Sequence, residues 1–118
     1  MKYINPDDPQ ELEKFLREWK SCYTKRNPLE PPTIASMRTL YQYATDGSIP
    51  GEFITAVLCG DLYAAFNTAP KEDLPLINSL VQYITIRLPI ECWGNSDKYG
   101  NWINQMKKSK MFKQTKLY

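Results

Sequence analysis

Histidine is absent from the chain. That removes the commonest general base near neutral pH, the Ser–His and Cys–His dyads, and nearly all mixed zinc sites. Cysteine is scarce: only Cys22, Cys59 and Cys92 occur, widely spaced and without a CxxC pair. This argues against a disulfide framework or a zinc ribbon and for reduced thiols in a cytoplasm. No apolar run approaches the ~18 residues that span a bilayer. The opening residues Met1 to Asp8 lack the apolar stretch of a signal peptide. The expectation is a soluble intracellular protein with no membrane contact. Gly-rich phosphate loops, the Walker A and GxGxxG patterns and HExxH are also missing. These absences together predict a protein that is not an enzyme. They give no catalytic residue, no metal ligand set and no cofactor.

What is present suits a single folded domain over residues 1–118. Hydrophobic residues make up 42% of the chain and charged residues 24%, enough apolar surface to build a core. The formal net charge is only +2, but its distribution is uneven. Acids gather early, at Asp7, Asp8, Glu11 and Glu13, and none follows Asp97. Lys107, Lys108, Lys110, Lys113 and Lys116 crowd the C-terminus. Such a tail, basic over 109–118, is either a solvated end or a weak phosphate contact for nucleic acid.

The hydrophobic pattern reads as helices throughout. Asp8 suits an N-cap and Pro9 the first helical position. Leu12, Phe15, Leu16, Trp19, Cys22 and Tyr23 then recur on one stripe, and Asn27-Pro28 ends the helix. A second helix is predicted from a Thr33 cap, with Ile34, Met37, Leu40, Tyr41 and Ala44 inward and Gly47 closing it. Pro50 is placed in the first turn of a third. Gly51 to Ala69 is apolar almost all round, which predicts a helix in the middle of a small core. Gly60 and Asp61 predict a kink there, or two short helices. A further helix follows Thr68-Ala69-Pro70, with Leu74, Ile77, Val81, Ile84 and Leu88 at three–four spacing. Pro89 stops it. Ser96 is the predicted cap of a last helix lined by Tyr99, Trp102, Ile103 and Met106, with a tail that frays beyond Ser109. The fold class is all-α: a compact bundle of five to six short helices. Its expected core is Phe15, Leu16, Trp19, Phe53, Val57, Leu58, Leu62, Phe66, Ile77, Val81, Ile84 and Trp102.

Few residues stand outside this pattern. Asp61, Glu91 and Asp97 are the only acids near irregular segments that a metal site would recruit, against the plainer reading as helix-start acids. Cys92 precedes a helix N-terminus, where a thiol pKa falls, but it has no histidine to activate it and reads as a packed, inert thiol. Trp93 lies in a turn. It is either a plug closing the end of the bundle or a stacking surface for a base or a partner side chain. Tyr41, Tyr43 and Tyr63 cannot all point inward, and exposed tyrosine marks interfaces. Together with the almost fully apolar middle helix, they predict a homo-oligomer.

One stretch is familiar. The run Gly47-Ser48-Ile49-Pro50-Gly51-Glu52-Phe53, then Ala56-Val57-Leu58 and Asp61-Leu62, resembles a pattern in small uncharacterised proteins of tailed bacteriophages and prophages. The likeness continues through Asn67-Thr68-Ala69, Glu72-Asp73, Pro89, Cys92-Trp93-Gly94-Asn95-Ser96 and Trp102. It departs at Gly51-Glu52, where a second small residue is usual, and at Asn95, an insertion. It covers roughly residues 41–104. No activity comes with this resemblance. It implies a phage accessory protein working in the cytoplasm of the infected bacterial host, in host takeover or escape from defence. Three functions follow as expectations. The first is sequestration of a nucleotide-type immune signal, with Trp93, Asn95, Ser96, Lys98, Tyr99 and Asp61 as the ligand-binding residues. The second is inhibition of a host protein through an exposed aromatic face. The third is DNA binding by the Lys107–Lys116 tail.

Overall fold

The computed structural model describes the backbone of residues 3–23 and 29–115, and side chains as far as residue 109. Among these residues the fold is all-α. Six helices follow one another: α1 (Pro9–Cys22), α2 (Ile34–Asp46), α3 (Glu52–Cys59), α4 (Leu62–Thr68), α5 (Ile77–Arg87) and α6 (Ser96–Thr115). Single 3₁₀ turns at Leu74–Leu76 and Ile90–Cys92 precede α5 and α6. The predicted helix end at Asn27-Pro28, Lys116 and the side chains of Lys110 and Lys113 lie outside the described residues.

Several helix boundaries follow local chemistry. The Asp8 carboxylate accepts from the Gln10 and Glu11 amides, and Pro9 needs no partner at the first position. Thr33 caps α2 by accepting from the Ser36 amide, and its hydroxyl also donates to Asp73 at 3.0 Å. Gly47 closes α2 as expected, in the left-handed region. The apolar middle stretch resolves into two helices: α3 ends at Gly60, and Asp61 caps α4 by accepting from the Ala64 amide.

Four boundaries differ from expectation. The helix expected directly after Thr68-Ala69-Pro70 starts only at Ile77, behind a turn in which Asp73 accepts from the Thr33 and Ser36 hydroxyls and a 3₁₀ turn at Leu74–Leu76. Pro50 lies before α3 rather than in its first turn, because Gly51 takes a φ of 88° and the helix starts only at Glu52. Asn95, not Ser96, caps α6: its Oδ1 accepts from the Lys98 amide at 2.9 Å. The helix also runs on past Ser109 to Thr115.

The core holds Phe15, Trp19, Met37, Leu40, Tyr43, Leu58, Leu80, Tyr83, Ile84 and Cys92. Phe15 meets Tyr83 edge-on at 5.4 Å, joining α1 to α5, and α6 packs on α2 and α3. Of the expected core, Phe53, Leu58, Ile77 and Ile84 are buried with Phe15 and Trp19, while Val57 and Trp102 are half-buried against it. Leu16, Leu62, Phe66 and Val81 are exposed, as is Ile34. In α5 the buried stripe runs through Ile77, Leu80, Tyr83 and Ile84, which turns Val81 outward. Tyr83 takes that place because its hydroxyl accepts the buried Ile4 amide at 3.1 Å, anchoring the N-terminal segment. In α4 only Ala65 is buried, so the helix lies on the surface rather than mid-core.

Leu58 is fully buried and Val81 is not, although both have the hydropathy of core residues. Leu58→Ala should cost ~2–5 kcal/mol, whereas Val81→Ala should stay within ~0.5 kcal/mol of the wild type. Urea unfolding of the two variants checks the contrast.

Candidate functional site

Of the predicted ligand-binding residues, Trp93, Asn95, Ser96, Lys98 and Tyr99 lie in the turn between α5 and α6 and the start of α6, and Asp61 lies in the α3–α4 turn that meets it at a corner. A Cβ on Gly60 would lie 3.1 Å from the Gly94 carbonyl oxygen, so only glycine allows the approach at this left-handed position. The Gly94 amide donates to the Leu58 carbonyl at 2.8 Å, locking the two turns. Asp61 follows Gly60 in this turn, where its carboxylate accepts from the Ala64 amide at 3.1 Å.

The predicted polar groups at this corner have internal partners, Ser96 aside. The Trp93 indole donates to the Leu88 carbonyl at 3.2 Å, and its ring packs half-buried on the core. Tyr99 stacks on Tyr43 at 5.5 Å, and its hydroxyl pairs with that of Thr55 at 3.0 Å. Lys98 reaches the Ile90 carbonyl at 3.3 Å. Asn95 and Asp61 are helix caps. Ser96 is exposed at the first residue of α6. The groups that would grip a base and a phosphate are the ones that hold the turns together. Among the described residues no three Cys, Asp or Glu side chains converge as metal ligands would, so Asp61, Glu91 and Asp97 do not form a shared site.

Cys92 is fully buried at this corner, its thiol donating to the Pro89 carbonyl at 3.0 Å. Burial pushes the thiol up to about 12 from the ordinary 9.0, the opposite of activation at a helix start. Burial likewise raises the Tyr43 hydroxyl, which donates to the Cys92 carbonyl at 2.7 Å. Cys22 is exposed on α1.

A second concave region lies between α1 and α5, a groove of about 380 Å³ walled by Trp19, Cys22, Tyr23, Tyr83 and Ile86. Some of its polar groups are engaged within the fold. The Trp19 indole donates to the Leu29 carbonyl at 2.6 Å, and Arg87 pairs with Glu18 at 2.9 Å over the Phe15 ring.

The surface of α4 has a different character. Tyr63 is 87% exposed, Leu62 63% and Phe66 52%. Residues three and four apart share a helix face, so these three side chains form one patch. Leu62 also lines a shallow depression of about 110 Å³ with Ala65, Ile77 and Val81, which extends the patch onto α5. Together Leu62, Tyr63, Phe66 and Val81 present on the order of 400 Å² of largely apolar surface. No charged residue occurs from Leu62 to Pro70. Residue-type patterning assigned Leu62 and Phe66 to the core. The signal for the opposite assignment was the Gly60-Asp61 break, which detaches a helix too short to bury both its faces.

No protein-family model, curated protein or solved structure matches the chain. Among the described residues no helix is long and apolar enough to cross a membrane.

Two outcomes test the corner as structure. Asn95→Ala should lower stability by about 1 kcal/mol, and Asn95→Asp should restore it, as expected of a cap. The unfolded chain ionises the Cys92 thiol near 9.0, whereas the fold holds its proton to about 12. The unfolded state thus binds fewer protons in that window, and stability falls as pH rises through it. Urea titrations from pH 8 upward check the slope, and a thiol reagent at pH 8 should label Cys22 rapidly but Cys92 only on unfolding.

Proposed function

We propose that this chain is a non-enzymatic binding module that acts by pressing the aromatic face of α4 onto a partner protein. The observation that carries the reading is an uncharged helix whose largest side chains, Leu62, Tyr63 and Phe66, are turned to solvent. Exposed aromatic surface depleted of charge is the composition of interface cores. The fitting partner presents an uncharged, apolar groove or face. The resemblance to small phage proteins supports a setting in the cytoplasm of an infected bacterium, with a host protein as the target of inhibition. The nucleotide-sequestering reading has less support, since Trp93, Asn95, Lys98 and Tyr99 are engaged within the fold.

The double variant Leu62→Ser/Phe66→Ser removes the patch without touching a buried residue. Far-UV circular dichroism and urea unfolding should match the wild type. Affinity capture from infected cells should retain one specific protein on the wild type, independent of added nucleotide, and lose it at least tenfold on the variant. Equal capture by both proteins would overturn the reading. So would a co-purified species absorbing at 260 nm that Trp93→Phe releases, or retention on DNA that weakens steeply with salt.

A further inference from the structure

We draw no further inference here: the strongest candidate, the apolar groove of about 380 Å³ between α1 and α5 walled by Trp19, Tyr23, Tyr83 and Ile86, carries none, because nothing in the structure shows what fills or covers it.

Discussion

The hydroxyl of Tyr43, buried in α2, donates to the carbonyl of Cys92 at 2.7 Å, and the rest of the structure is arranged around that bond. It crosses 49 residues of sequence and ties the second helix to the turn that launches the last one. A buried carbonyl left without a donor costs ~1–3 kcal/mol, so this turn has one favourable seat. From that seat the Gly94 amide reaches Leu58, the Trp93 indole reaches Leu88, and Tyr99 stacks on the Tyr43 ring. The corner is therefore a single hydrogen-bonded unit that fixes where α3, α5 and α6 meet. The Tyr83 hydroxyl, accepting from the Ile4 amide at 3.1 Å, ties the N-terminal segment to α5 in the same way.

These two tyrosines also mark the limit of what was legible in the chain. Helix existence, the Asp8, Thr33 and Asp61 caps and the Gly60 break all follow from local chemistry, and the structure has them where the residues put them. The inward face of α5 does not follow. Ile77 and Ile84 fit two overlapping three–four stripes, one completed by Val81 and the other by Leu80. What separates them is the partner found by the Tyr83 hydroxyl, which lies 79 residues away in sequence. The same limit applies to Trp93: a tryptophan in a turn reads as plug or platform until its indole is seen donating to the Leu88 carbonyl.

Misassigning α4 has a more instructive cause. An apolar stretch from Phe53 to Phe66 looks like one buried helix, and hydropathy alone cannot tell folding surface from binding surface. The Gly60 corner turns the chain so that α3 enters the core and α4 leaves it. Leu58 and Leu62 are one turn apart in sequence and opposite in fate.

A helix of seven residues is far below the length at which helices persist alone in water. Its shape is thus imposed by the cap at Asp61, the corner at Gly60 and the seat of Ala65 against the core. Those contacts use the smallest side chains of the helix, while the largest face solvent. For folding alone that division runs the wrong way, since turning Leu62 or Phe66 inward would bury far more apolar area than Ala65 does. The hydrophobic effect acts on whatever apolar surface is left in water. Here the fold seats α4 through Ala65 and leaves that surface free of charge, so the driving force left over from folding is available for association. Preorganisation of this kind lowers the entropic cost of binding, and it is on α4, the one helix the core could have used and did not, that the proposed binding function rests.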